Sequence, residues 1–306
     1  MPLTATMTIT QAIQHTLSLG LERLDAQLLV LHALGSRASG RAWLLAHGDE
    51  ALPPDVLTAL QTHVTRRAAG EPLAYITGHT EFYGLALQVD ARVLDPRADT
   101  ETLVDWALEC MDAWMQTRTD AKPAPNAGAA SAASAITPAL IDLGTGSGAI
   151  ALALQHSRPQ WQVHALDFST DALAVARANA SRLNLEVQFH QGSWLQGLQQ
   201  QFAVIVSNPP YIALQDVHLA ALTHEPLQAL ASGRDGLDDI RSLIHQAPAR
   251  LLPGGWLLLE HGYDQAVTVR ALLQDAGFSQ VQSRQDLAGI ERCSGGQWPG
   301  GTPHSD

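Results

Sequence analysis

The sequence predicts an α/β protein: a doubly wound, mostly parallel sheet with a small helical domain ahead of it. Three observations predict this. Beyond residue 138, short apolar runs alternate with stretches of helical length, the βαβ pattern of a parallel sheet. The first run, Leu140-Ile141-Asp142-Leu143, passes into Gly144-Thr145-Gly146-Ser147-Gly148 and then an Ala/Leu-rich segment, as at the first strand–loop–helix of a nucleotide-binding sheet. Residues 8–70, in contrast, carry apolar residues at helical spacing.

In chain order, Leu24, Leu28 and Leu31 recur at helical spacing before Gly35, a C-terminal stop. Pro53-Pro54-Asp55 opens a second helix with Val56, Leu57, Leu60 and Val64 on one face and Arg66 and Arg67 in its last turn, where cations suit the helix dipole. Phe82, Tyr83, Leu85, Leu87 and Val89 partly alternate around Gly84 and predict a β-hairpin. A helix is expected from about Thr100 to Met115, with Asp99 or Thr100 as N-cap. Residues 117–137, with Lys122-Pro123-Ala124-Pro125 and an Ala/Ser tract, read as a flexible insertion or a short Ala-rich helix. Strands are then expected at 162–167, 186–190, 202–207, 255–260 and near 278–284. The helices between them fall at 149–156, 170–183, 236–251 and 263–276. The domains expected are 1–74 (helical), 75–98 (hairpin linker) and 99–306 (sheet).

At 306 residues the chain can bury an ample core, and 46% apolar with 16% charged residues marks a globular protein. Its net charge of −12 opposes binding to polyanions over most of the surface, so no direct nucleic-acid binding is expected. Cys110 and Cys293 give no disulfide framework, and no secretory signal or membrane span is visible, so a cytoplasmic site is expected. The 13 histidines show no His-x-x-x-His spacing, and no metal site is assigned.

The most informative stretch is Val204-Ile205-Val206-Ser207-Asn208-Pro209-Pro210-Tyr211. A buried strand runs into two prolines that cannot continue a ladder, so it ends in a stiff turn. That turn offers an amide, backbone carbonyls and an aromatic ring, which suit a planar nitrogen target needing N–H acceptors and a flat face. Asp142 ahead of the glycines would repel a pyrophosphate and suit a cationic ligand. Asp167 ends the second sheet strand about 20 residues beyond the glycines, where an acid commonly holds ribose hydroxyls; it can also cap the next helix. S-adenosylmethionine has a ribose and a sulfonium and no phosphate.

Together, Asp142–Gly148, Asp167 and Asn208–Tyr211 resemble a class I S-adenosylmethionine-dependent methyltransferase of the amino-group type. Gly70-Glu71-Pro72-Leu73-Ala74-Tyr75-Ile76-Thr77-Gly78, Val93–Glu101, Glu225-Pro226, Asp235-Gly236-Leu237 and Asp286-Leu287-Ala288-Gly289 narrow the resemblance to the peptide chain release factor glutamine methyltransferases, the HemK family. It spans about 65 to 292. Asp95 and Ala98 depart from the family's apolar residue and proline. The resemblance implies a seven-stranded Rossmann-like sheet and S-adenosylmethionine as cofactor. It also implies methylation of the side-chain amide of the glutamine in the Gly-Gly-Gln motif of bacterial class 1 release factors.

On this reading Asp142, Gly144, Thr145, Gly146, Ser147, Gly148, Asp167, Phe168, Trp194 and Asn208 bind the cofactor. Asn208, Pro209, Pro210 and Tyr211 form the catalytic turn, with Glu225 joining them on the substrate side. The Asn208 oxygen and the Pro209 carbonyl accept the amide N–H bonds, and Tyr211 lies on the amide plane with its hydroxyl at the pocket edge. Glu225 is a late proton acceptor, a pocket wall or a solvated loop carboxylate. Trp194 and Phe168 cover the adenine or belong to the core, and Ser193 stands where the family often has Asp. Arg97 and Glu101 invite a site role as well as a structural one. The helical domain is a cap or a platform for the release factor. The alternative function is methylation of an adenine or guanine amine in nucleic acid. A dehydrogenase would leave Asn208–Tyr211 unexplained, and a non-enzymatic binding module would leave donor and acceptor sites idle. Gly295-Gly296-Gln297 spells the substrate tripeptide in a Gly/Pro-rich end, Gly295 to Asp306, read as mobile. It is either coincidence or a segment that visits the active site.

Overall fold

The computed structural model describes residues 6–119 and 138–300, so the insertion beyond 119 and the last residues of the tail lie outside it. The chain divides into two compact units, one ending at Thr80 and one starting at Glu81.

The first unit is helical: α1 (Ile9–Ser18), α2 (Arg23–Leu34), α3 (Arg41–Ala46), α4 (Pro54–Ala68) and α5 (Leu73–Thr77). Thr8 and Gln11 close a capping box at the start of α1, each side chain accepting the other's backbone N–H. Ile9, Leu29, Val30, Leu44, Leu60 and Val64 form the core. The face expected from Leu24, Leu28 and Leu31 is not the buried one: Leu24 is exposed, and Ala26, Leu29, Val30 and Leu34 point inward. Apolar residues encircle most of α2, so periodicity alone does not select its face. Gly35 ends α2 at φ 55°. Arg67 pairs with Asp25 at 2.6 Å, and Arg66 grips both Glu71 oxygens.

Strands β1 (His79–Phe82) and β2 (Leu85–Gln88) form the hairpin. Its turn residues Tyr83 and Gly84 both have positive φ, 51° and 75°, as a two-residue hairpin of right-handed twist requires. Glu101 accepts the Tyr83 N–H at 2.9 Å and Asp105 its hydroxyl at 2.6 Å, which secures this turn and gives Glu101 a structural task.

The sheet contains β3 (Ala139–Leu143), β4 (Gln162–Asp167), β5 (Gln188–Gln191), β6 (Phe202–Ser207), β7 (Leu251–Glu260), β8 (Ser279–Gln285) and β9 (Glu291–Gln297). The helices of this unit are α6 (Glu101–Thr119), α7 (Ala149–Ser157), α8 (Thr170–Leu183), α9 (Asp238–Gln246) and α10 (Ala266–Asp275). Strand order is β5-β4-β3-β6-β7-β9-β8, parallel from β5 to β7 and antiparallel at the two pairs involving β9. Leu140, Val204, Val206 and Leu258 face α6 and α7, while Ile141, Leu143, Ile205, Leu257 and Leu259 face α9 and α10. Every residue of β3 and β6 is buried, as expected for strands covered on both faces. The order reverses between β3 and β6, so the crevice beyond their carboxyl ends is where such sheets bind ligands.

The seventh strand overturns the mobile-tail reading. Gly295, Gly296 and Gln297 lie in β9, opposite Leu258, Leu257 and Trp256 of β7. A Cβ on Gly295 would come within 2.6 Å of the Leu257 carbonyl oxygen, and one on Gly296 within 2.9 Å of Phe278 Cβ. Close packing explains these glycines, and Gln297 is tied to the Gly254 carbonyl at 2.9 Å. The tripeptide is an interior strand and cannot serve as a tethered substrate without dismantling the sheet.

Candidate active site

Strand β3 delivers the glycine loop. The N–H groups of Gly144 and Thr145 both donate to the Leu166 carbonyl, at 2.8 and 3.0 Å. Gly148, at φ 85°, starts α7 so close to Leu152 and Ala176 that a Cβ would lie 3.1–3.2 Å from them. Asp142 does not reach the crevice. It is fully buried, accepts from the Thr145 hydroxyl at 2.6 Å and from Ala151 N at 3.3 Å, and leaves Oδ1 unpartnered among the described residues. Burial pushes its carboxyl up to about 7. Thr145 and Ser147 are likewise buried, and of this loop only Gly144 and Gly146 line the cavity. Asp142, Thr145, Ser147 and Gly148 stand behind the two lining glycines, and Asp142 holds the loop from behind.

The cavity beyond these strand ends measures about 270 Å³. Asp167 enters it from the end of β4. One of its oxygens accepts from Gly146 N and the other from Ser169 N, each at 2.9 Å, and burial raises its carboxyl from the ordinary value. Phe168 is 72% exposed and lines the cavity, so it is not a core residue. Trp194 lines it in a left-handed conformation, φ 50°, with its indole N–H donating to Asp239 Oδ1 at 3.1 Å. Asp239, in the first turn of α9, also lines the cavity and was missed in sequence. Its only signal was its place just after Asp235-Gly236-Leu237. Arg92, Val93 and Leu94, between the hairpin and α6, form another part of the wall.

A second cavity of about 90 Å³ adjoins the first, and Asn208, Leu94 and Ala229 line both. Asn208 Nδ2 donates to Thr100 Oγ1 at 3.2 Å, which leaves Oδ1 as the acceptor for a ligand. Pro210 lines the larger cavity and Tyr211 the smaller, while Pro209, between Asn208 and Pro210, is buried and lines neither. The Tyr211 hydroxyl is not at the pocket edge: it turns inward to Glu260 Oε1 at 3.4 Å, and burial raises it further from ionisation.

Glu225 is neither a solvated loop carboxylate nor a wall of either cavity. Its side chain is 2% exposed, both oxygens meet Arg97 Nη2 at 2.8 and 2.7 Å, and Asp95 N donates at 3.3 Å. Held in this way it pins the turn that carries Arg97 into the smaller cavity.

A doubly wound sheet, a glycine cradle with acids beside it, where the lining Arg92 is paired with Asp90 at 2.6 Å, and an amide at the boundary of two cavities define a class I methyltransferase. Residues 9–78 match the PrmC N-terminal domain and 130–234 the Methyltransferase small domain. A release factor glutamine methyltransferase of Bordetella pertussis is 46% identical over 90% of this chain and 95% of its own length. One from Vibrio cholerae is 44% identical over 90% and 89%. The chain belongs to the release factor glutamine methyltransferase family. Among solved structures, the hMettl16 catalytic domain in complex with a MAT2A 3′UTR hairpin superposes with TM-score 0.52 at 15% identity, covering 82% of this chain and 84% of that one, a likeness of fold. Among the described residues, no helix is long and apolar enough to cross a membrane, and no group of His, Cys, Asp or Glu is placed to hold a metal.

Proposed function

We propose that the larger cavity holds S-adenosylmethionine and the smaller one the side chain of the glutamine in the Gly-Gly-Gln motif of a class 1 release factor. The observation that carries this reading is Asn208. It lines both cavities, and Thr100 holds its donor end, so its oxygen is presented to an N–H donor. The donor cavity fits the cofactor: Gly144 and Gly146 allow backbone approach, Asp167 is placed for ribose hydroxyls, and Phe168 and Trp194 offer flat faces for adenine. Asp167 and Asp239 outweigh Arg92 in its lining, and that acidic balance suits a sulfonium. When bound, S-adenosylmethionine supplies an electrophilic methyl group on sulfur.

The protein's own contribution is to hold the nucleophile. An amide nitrogen is planar, with its lone pair delocalised into the carbonyl. Asn208 Oδ1 accepts one of its N–H bonds, and the carbonyl of Pro209, between two lining residues, takes the other. Fixed acceptors aimed at N–H groups that become more acidic as the nitrogen attacks are preorganised electrostatic stabilisation. Tyr211 supplies a flat wall held from behind by Glu260. Fixing the reacting groups in line contributes roughly 7–11 kcal/mol in favourable cases. The helical unit, in this reading, is a platform for the release factor in the cytoplasm.

The test is incubation with radiolabelled S-adenosylmethionine and, separately, release factor, tRNA, rRNA and DNA. Label on the Gly-Gly-Gln glutamine is expected. Label on nucleic acid alone would replace this reading with the base-methylating one.

A further inference from the structure

Glu260, the last residue of β7, is 1% exposed and, beyond backing Tyr211, has no part in the chemistry above. Its Oε1 meets the Tyr211 hydroxyl at 3.4 Å, and Oε2 has no partner among the described residues. The Thr100 hydroxyl faces the same carboxylate and favours its charged form. Thr100 is also the residue that receives the Asn208 amide at 3.2 Å. Both polar side chains of the Asn208–Tyr211 turn therefore lead back to one buried acid. Among the described residues no cation pairs with it directly: Arg292 from β9 is engaged by Asp99 at 3.2 Å and Asp286 at 2.9 Å. A buried carboxyl held this way costs stability, so its presence asks for another explanation.

We propose that Glu260 is a positioning residue for methyl transfer, setting through Thr100 which end of the Asn208 amide faces the acceptor and through Tyr211 the wall of its pocket. An ionised carboxylate only accepts. Thr100 must then donate to it, its lone pair takes the Asn208 NH₂, and the Asn208 oxygen is left for the glutamine. A protonated Glu260 can donate to Thr100, which frees the Thr100 hydroxyl to donate toward Asn208 and favours the flipped amide. Asn208 would then present N–H groups to an N–H substrate. Burial raises the Glu260 carboxyl to about 7, so this switch falls near neutrality. The groups around it are Asp99, which raises it further, Arg292, Thr100 and Tyr211, which lower it, and the Cys293 thiol paired opposite on β9, which burial holds neutral.

This inference rests on the acceptor reading above, and its test includes a measurement independent of substrate. In the full-length enzyme, the ¹⁵N resonance of the Asn208 side-chain amide should titrate with a midpoint near 7 and stop titrating in Glu260→Gln. In turnover, Glu260→Gln should lower kcat on release factor roughly 10- to 100-fold, leave the KM for S-adenosylmethionine within about two-fold, and lose the acidic limb of the kcat–pH profile. A merely structural role would move the melting temperature and not that limb. Thr100→Val should reproduce the loss, and Thr100→Ser should restore activity to within about three-fold, because the hydroxyl carries the link. Wild-type kcat with an unchanged acidic limb in Glu260→Gln would overturn the proposal. If that variant does not fold, wild-type kcat in Thr100→Val would do the same. A titrating Asn208 resonance in an enzyme that leaves release factor unmethylated would refute the substrate and keep the positioning role.

Discussion

Arg97→Met tests whether the acceptor pocket depends on the pairing behind it. The substitution keeps most of the aliphatic stem and removes the guanidinium that meets both Glu225 oxygens at 2.7–2.8 Å. Glu225, 2% exposed, would be left with the Asp95 N–H at 3.3 Å as its one remaining partner among these contacts. Orphaning one member of a fully buried pair costs about 3–5 kcal/mol. Arg97 is 41% exposed, so water already screens the pair and the loss should be nearer 1–3 kcal/mol, about the upper end for a partly solvated pair. For a unit of this size that is a drop of roughly 2–12 °C in Tm. Because Leu94 and Arg97 line the smaller cavity, the KM for release factor should rise about ten-fold, the equivalent of about 1.4 kcal/mol. Scanning fluorimetry and steady-state kinetics on Arg97→Met, Glu225→Gln and the double variant form the cycle. The double variant should regain part of the lost Tm, because neutralising Glu225 removes the orphaned charge. A single variant with wild-type Tm and KM, or a double variant whose losses simply add, would refute the reasoning.

Four further outcomes follow from the same contacts. Asp167→Ala removes the ribose acceptor together with the bonds to Gly146 and Ser169, so calorimetry should show S-adenosylmethionine binding weakened by at least about 1.5–3 kcal/mol; unchanged affinity in a folded variant would remove the assigned role. Asn208→Ala should leave that affinity within about three-fold while single-turnover methylation collapses, and near-normal turnover would contradict the amide-holding role. Asp142 is raised when folded from 3.8 to about 7, so the folded state binds a proton that the unfolded chain releases. Its stabilising neutral form is fully present below about pH 4 and lost as pH rises through about 7, a swing of up to about 4 kcal/mol; urea titrations should show wild type losing stability over this range relative to Asp142→Asn, and parallel slopes would refute the burial argument. Leu24 and Leu45 are 48% and 79% exposed on the helical unit, so replacing both by Asp should raise the KM for intact release factor and not for a Gly-Gly-Gln peptide; equal effects would reduce the unit to a structural cap.

What the sequence displayed was local. Strand ends that pass from apolar residues to Asp167 or Asn208 are visible because composition changes there, and both residues do line the larger cavity. The faces of α4 were legible because its apolar residues form one stripe; α2 has no such contrast. Strand β9 was hidden because glycine and serine carry no β-branched signal. Trp106, which lies against Gly295, comes from a remote part of the chain. The partner of Glu225 lies 128 residues away, and nothing in either local pattern announces it.

The acids show most clearly where local reading stops. In sequence Asp142, Asp167, Glu225 and Glu260 look alike, each a carboxylate in or beside a loop. In the fold only Asp167 lines the cavity. The other three sit one layer back: Asp142 under Thr145, Glu225 under Arg97, Glu260 under Tyr211. Each fixes a neighbour by accepting a hydrogen bond from it. On the function proposed above the smaller cavity holds an uncharged amide, and a carboxylate touching it would take the N–H bonds in competition with Asn208. Moving these charges behind Arg97, Thr100 and Tyr211 keeps their orienting effect and leaves Asn208 as the acceptor that both cavities share.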